Sequence, residues 1–152
     1  MAARKLRKYV LDTNCFIDAA HDADARAALE AFVLQAAPGL YLSSVVAAEL
    51  RAGAGRMRTS LERVVLGPYV RRGRVLTPSA ASWDALGTTL ATLAERDGLV
   101  LAQTRRSFLF DILVAHSCRE AGATLISANT QDLERIGRVF AFDFVAPYPK
   151  VS

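Results

Sequence analysis

The 152-residue sequence predicts an α/β domain: a mainly parallel sheet covered by helices on both faces. Three observations lead there. Short β-branched and apolar runs alternate with segments of helical period along the whole chain. The first of these runs, "KYVLDT", ends on Asp12, a carboxylate at the strand end where such sheets place their ligand sites. No repeat, low-complexity tract or Pro/Gly/Ser-rich linker divides the chain, so residues 1–152 form a single domain with enough length for a hydrophobic core.

The elements follow in order. After "KYVLDT", helical spacing sets in over "ADARAALEAFVLQA", with Leu29, Phe32, Val33 and Ala36 on one stripe, and Pro38-Gly39 stops it. "LYLSS" is a second strand, and Ser43 or Ser44 caps the helix "VVAAELRAG", closed by Gly53 and Gly55. "RTSLERVVLGPYV" is a further helix and "GRVLTP" a third strand. "SAASWDALGTTLATLAERDG" is a long helix with Trp83, Leu86, Leu90 and Leu93 on one side. "SFLFDILVAHSCREAG" is a helix ended by Gly122; "ATLISAN" is a strand running into the helix "TQDLERIG"; "FAFDFVAP" is the last strand.

Composition bounds the function. An apolar fraction of 52% with 22% charged residues is that of a folded globular protein, and the net charge of +4 (pI about 9.4) permits a polyanionic partner. Cys15 and Cys118 are far apart and form no CxxC pattern, which argues against a disulfide framework or zinc site and for small core residues in a reducing, cytoplasmic setting. The basic start "MAARKLRKYV" lacks a signal core, and no stretch reaches the ~18 apolar residues of a membrane span.

Four acids and an amide stand out. Asp12 and Asn129 fall at strand ends on the same rim. Glu49 lies in an otherwise apolar stretch of a helix that starts there. Asp111 is the only acid in "SFLFDILVAHSC" and shares a stripe with Phe108, Ala115 and Cys118, a charge where the pattern wants a leucine. Each has an ordinary structural reading. Asp12 can organise a turn, with Asn14 capping the next helix; Glu49 can pair with Arg51 or Arg56; Asp111 can pair with Arg105 or Arg106. Asn129 and Asp132 have the spacing of an N-cap and its N3 acid. Taken together, like charges in one cleft repel and raise one another's pKa, and a divalent cation would relieve that. An all-oxygen donor set without His or Cys indicates Mg²⁺ or Mn²⁺.

"YVLDTNCFID", "LSSVVAAEL" and "FDILVAHSCREAGATLISANTQDL" together resemble a PIN-domain ribonuclease, and among those the small VapC-type toxins of toxin–antitoxin pairs. The resemblance covers nearly the whole chain, with the acids in family order. It implies a PIN-like three-layer α/β/α sandwich around a four- or five-stranded sheet, and a metal-dependent endoribonuclease neutralised by a small antitoxin. Carried over by position, Asp12 and Asp111 are direct metal ligands and Glu49 the third acid. Asn129 and Asp132 hold water or metal from the side, and Ser127 matches a position where the family often has a hydroxyl. Phe110, where many relatives are polar, and Leu133, where an aromatic commonly follows the last acid, depart from the pattern and leave the shape of the substrate cleft open. The resemblance also implies a homodimer and an apolar groove for an antitoxin segment.

The expected reaction is in-line hydrolysis of an RNA phosphodiester by water activated at Mg²⁺ or Mn²⁺. Arg51, Arg56, Arg105 and Arg106 are the candidate phosphate contacts, with steep salt dependence as the consequence. His21, beside Asp22 in an expected loop, and His116, about 140° round the helix from Asp111, are expected to be structural. A non-catalytic PIN-like module binding RNA or protein is the alternative. A haloacid-dehalogenase-type phosphatase would need a second acid at the position of Asn14. Composition alone does not separate RNA from DNA as the nucleic acid.

Overall fold

A computed structural model of the chain describes residues 5–151, so the first four residues and the last of the expected 1–152 domain lie outside the described residues. Five strands form one sheet in the order β3-β2-β1-β4-β5, every pairing parallel: β1 (Lys8–Leu11), β2 (Leu40–Ser43), β3 (Val75–Leu76), β4 (Ala123–Ile126) and β5 (Phe144–Val145). Successive residues of the central strands fill both faces. Tyr9 and Leu11 enter one buried cluster with Phe32 and Ala36, while Val10 enters the other with Ile112, Leu113 and Leu125. Two-sided burial is why these strands read as continuous apolar runs without alternation. The result is the expected three-layer α/β/α sandwich.

The helices pack on those faces: α1 (Thr13–His21), α2 (Ala23–Ala36), α3 (Ser44–Gly53), α4 (Arg58–Ser60), α5 (Gly67–Arg71), α6 (Ala80–Asp97), α7 (Arg106–Ala121) and α8 (Thr130–Gly137). Ser43 caps α3 through its hydroxyl, which accepts from the Val45 N–H at 3.2 Å. Gly122 ends α7 in the left-handed region at φ 67°. Among the described residues no helix is long and apolar enough to cross a membrane.

Several elements differ from expectation, for identifiable reasons. The first strand stops at Leu11, because Asp12 leaves the strand to become the N-cap of α1. The last strand is two residues long, as is β3, since each pairs with only one neighbour at the sheet edge. Between α4 and α5 the helix widens into a π-helical stretch, Leu61–Leu66. Pro68 has no N–H to give, and the Gly67 N–H bonds to Glu62 O, five residues back. A Cβ at Gly67 would sit 2.8 Å from that same oxygen. Trp83 is 55% exposed and off the buried side of α6, which instead runs through Ser82, Thr89 and Leu93. His21 closes α1 and lies in no loop.

Gly39 positions β2 against β1. A Cβ there would collide with the backbone carbonyl of Arg7, which has no rotamer with which to yield. Overpacking of this kind costs about 1–3 kcal/mol. Gly39→Ala is therefore expected to lower the thermal midpoint by about 2–12 °C. Differential scanning calorimetry checks this; an unchanged midpoint would show that the β1–β2 junction shifts freely.

Candidate active site

The chain builds the sheet outward in one direction through β1, β2 and β3, then returns to the centre and builds the other way through β4 and β5. The reversal opens a crevice beyond the carboxyl ends of β1 and β4, where ligands bind in open α/β sheets. Asp12 follows β1 and Ser127 follows β4, and the Asp12 N–H extends the ladder to Ile126 O at 2.9 Å. The two side chains meet: Ser127 Oγ donates to Asp12 Oδ2 at 2.7 Å. Asn14 Nδ2 donates to Ser127 Oγ at 2.8 Å and to Asp12 Oδ2 at 3.3 Å, and the Thr13 N–H donates to Asp12 Oδ1 at 2.8 Å. Asp12 is 3% exposed, and both oxygens of its carboxylate accept hydrogen bonds. Burial still outweighs those bonds and raises its pKa.

The other acids converge on this point. Thr13 Oγ1, one residue past Asp12, donates to Glu49 Oε1 at 2.9 Å, which ties α3 to the start of α1. Burial raises the Glu49 pKa against that bond; the Asp12 charge adds to the rise and Arg106 opposes it. Asp111 sits on the packed face of α7, among the buried Phe108, Ala115 and Cys118. Burial, then the facing Asp12, Glu49 and Asp132 carboxylates, push it up to about 8, against one hydrogen bond from Asn129. The pairings of Glu49 with Arg51 or Arg56, and of Asp111 with Arg105 or Arg106, do not form. Arg51 makes a two-point pair with Glu62, and Arg105 reaches Asp132 at 3.6 Å.

Asn129 holds the N-cap position of α8, but its side chain makes no cap hydrogen bond. Its Nδ2 bridges Asp111 Oδ2 at 3.2 Å and Asp132 Oδ2 at 3.0 Å. Capping therefore does not account for the pair; the amide links two carboxylates. Of the basic candidates, Arg105 touches the acid group directly and Arg106 acts on Glu49 by its charge. Arg51 is engaged by Glu62, and Arg56 lies exposed in the turn after α3. His116 spends its ring elsewhere, on Thr89 at 2.9 Å and stacked on Phe140 with centroids 3.7 Å apart. Both cysteines are buried and free.

The donors fit a hard divalent cation in kind. All are oxygens, and among the described residues one oxygen of Glu49 and one of Asp111 accept no hydrogen bond from the protein. They are not drawn into a closed cage: among the described residues no three His, Cys, Asp or Glu side chains form a ready metal-holding group. Asp12 is buried in this cleft, and Glu49 and Asp111 are half-buried. Sequence reasoning missed Thr13 and Asn14 as the residues that hold Glu49 and Asp12. They stood in view in "LDTN", but each bonds to a partner far away in sequence.

A family model described as PIN domain matches residues 9–139. No curated protein is similar enough in sequence to match. Among solved structures, VapBC2 from Rickettsia felis, bound to a promoter DNA fragment, is 24% identical, with 91% of this chain and 97% of that chain covered and a TM-score of 0.61. DNA-bound VapBC from Salmonella typhimurium is 22% identical, with 93% and 99% covered and a TM-score of 0.65. A toxin–antitoxin complex from Klebsiella pneumoniae is 21% identical, with 94% and 100% covered and a TM-score of 0.58. At these identities the likeness is one of fold.

The raised acids make stability depend on pH with a definite sign. Between the unfolded pKa of 3.8 and the folded value of about 8, folded Asp111 keeps a proton that the unfolded chain releases. Stability thus falls as pH rises through that window, and the rises at Asp12 and Glu49 act in the same direction. In chelator-containing buffer, Asp111→Asn is expected to raise the midpoint at pH 8 by at least about 2–4 °C, equivalent to ~1 kcal/mol, with little change at pH 4. Thermal melts of both proteins across that range check it; equal midpoints at pH 8 would remove the repulsion.

Proposed function

The chain belongs to the PIN-domain family, and from that premise we propose that it is a Mg²⁺- or Mn²⁺-dependent endoribonuclease of the VapC type, the toxin of a toxin–antitoxin pair. One observation carries the reading: Asp12, Glu49 and Asp111 come from three separate elements to one crevice, where burial raises all three and the Asp12 charge adds to the rise at Glu49 and at Asp111. A core does not gather repelling carboxylates for stability, whereas a centre for divalent-metal chemistry needs them. The expected site set of Asp12, Glu49, Asp111, Asn129 and Asp132 is retained, with Asp12 and Asp111 as the residues that would hold the ion directly and Glu49 as the third acid. The resemblance to toxin–antitoxin complexes supports a small antitoxin as partner; that the chain works as a homodimer is part of the proposal.

When bound, the cation supplies a water of lowered pKa and neutralises charge gathering on the phosphate. The chain's own residues do the remainder. Ser127, Asn14 and the Thr13 N–H fix both oxygens of Asp12, so it cannot swing toward Asp111. Thr13 aims Glu49, and Asn129 spaces Asp111 from Asp132. Arg105 is 78% exposed at its side chain and only loosely paired with Asp132, so it is free to exchange that partner for a backbone phosphate. Arg106, whose charge already acts on Glu49, serves the same purpose. That no three acids form a ready metal-holding group among the described residues also suits a non-catalytic RNA- or protein-binding module, and cleavage distinguishes the two.

Induced expression in a bacterial host, with total RNA examined after growth slows, tests the reading. Wild type is expected to arrest growth and leave discrete RNA fragments, and Asp12→Asn or Asp111→Asn to do neither. Asn129→Ala is expected to lose about 10–100-fold in cleavage, as supporting contacts around metal sites do. Arrest by wild type and Asp111→Asn alike would mean toxicity by binding and would reject the nuclease. With purified protein, Mg²⁺ or Mn²⁺ should raise the pH 8 melting midpoint of wild type and leave that of Asp111→Asn unchanged; a cation effect on both would place the ion elsewhere.

A further inference from the structure

Beside the acid crevice lies a second hollow of about 290 Å³. Its wall runs from the left-handed Gly98 that ends α6, past Leu99, Val100, Gln103 and Thr104, to Arg105 and the start of α7; Asp132 and Arg135 of α8 close the other side. That volume is at the small end of ligand clefts, about 300–1,000 Å³, and suits one nucleoside unit more than a longer segment. The hollow shares Asp132 with the crevice, and Asn129 joins Asp132 to Asp111. It therefore begins one side chain from the reacting centre.

Its chemistry is mixed in a specific way. Arg135 is held between the Phe108 ring, 5.2 Å from the guanidinium carbon, and Asp97 at 3.7 Å, so its planar group is fixed in orientation. Arg105 stands at the mouth with an exposed guanidinium. Leu99 and Val100 supply apolar wall, and the exposed Gln103 brings an amide that can both donate and accept. An apolar wall, a guanidinium plane lying over an aromatic ring, an amide and a cation at the entrance match what a splayed-out base and its phosphate require. We propose that this hollow binds the base of the nucleotide next to the cleaved bond, with Gln103 and Arg135 setting which base is accepted and Arg105 holding its phosphate. The assignment rests on the ribonuclease reading above and adds to it a site for base selection.

The Gln103 side chain makes no hydrogen bond among the described residues, so Gln103→Ala should fold unchanged; Arg135→Lys keeps the charge and loses the plane. A randomised single-stranded RNA pool is cleaved by wild type and by both variants with Mn²⁺ present, and the cut ends are sequenced. Wild type is expected to favour one base at a position flanking the cut. Both variants should flatten that preference about tenfold while total cleavage of the pool falls less than about threefold. Cleavage with an unaltered preference in both variants overturns the subsite and leaves the nuclease intact. If wild type cuts nothing, the nuclease reading fails and the subsite is judged separately. In that case, 4-thiouridine RNA is photo-crosslinked to the Asp111→Asn protein. Crosslinks within residues 98–105 or 132–135 sustain the subsite, and their absence overturns it. Unchanged RNA readouts together with weakened binding of a neutralising protein would assign the hollow to that partner and reject the RNA assignment.

Discussion

The carboxylate of Asp12 is the point on which the molecule turns. It lies where the strand order reverses, so that whatever satisfies it must come from the ends of two different strands and the first turn of a helix. Ser127, Asn14 and the Thr13 N–H do so together. The same residues reach on to the other acids: Thr13 to Glu49, and the Ser127 hydroxyl to the Asn129 N–H at 3.1 Å, from which the Asn129 amide meets Asp111 and Asp132. Burying one ionisable group at a topological break thus organises the whole crevice. An apolar side chain at position 12 would leave the Ser127 hydroxyl and the Asn14 amide without their common acceptor.

The arrangement is costly to the isolated chain. Asp111 is surrounded by carboxylates and pushed up to about 8, so near neutral pH the crevice holds a proton where it is expected to hold a cation. Burial contributes the largest part of that rise and the neighbouring charges the remainder. Stability that a repacked apolar site would supply is forgone here, the recurrent pattern where function needs strained electrostatics.

Much of this was legible in the sequence. The helix over "ADARAALEAFVLQA" has the bounds that its stripe and its Pro-Gly stop predict, Ser43 caps where one of two serines was expected to, and Gly122 ends α7. Asp111 announced itself as a charge on an apolar stripe. Local signals of period and capping sufficed for these. They failed where tertiary contact decides. Nothing local says that Asn129 turns its amide from its own helix toward Asp111, or that Asn14 bonds to Ser127 across 113 positions. Trp83 looked like a core residue because it is large and apolar, but the buried stripe of α6 is set one residue away, through the small Ser82. The hollow lined by Gln103 and Arg135 draws on segments that carry no shared pattern in the chain.

The two outermost strands, Val75–Leu76 and Phe144–Val145, present only two residues each to solvent. A sheet edge is the usual template on which another chain's backbone adds itself, in ordered complexes and in aggregates alike. Edges this brief offer such a visitor almost no ladder. Recognition of a partner would then fall mainly to side-chain surfaces on the helices and around the crevice. There, shape and charge discriminate among visitors, whereas backbone hydrogen bonding would accept almost any extended chain.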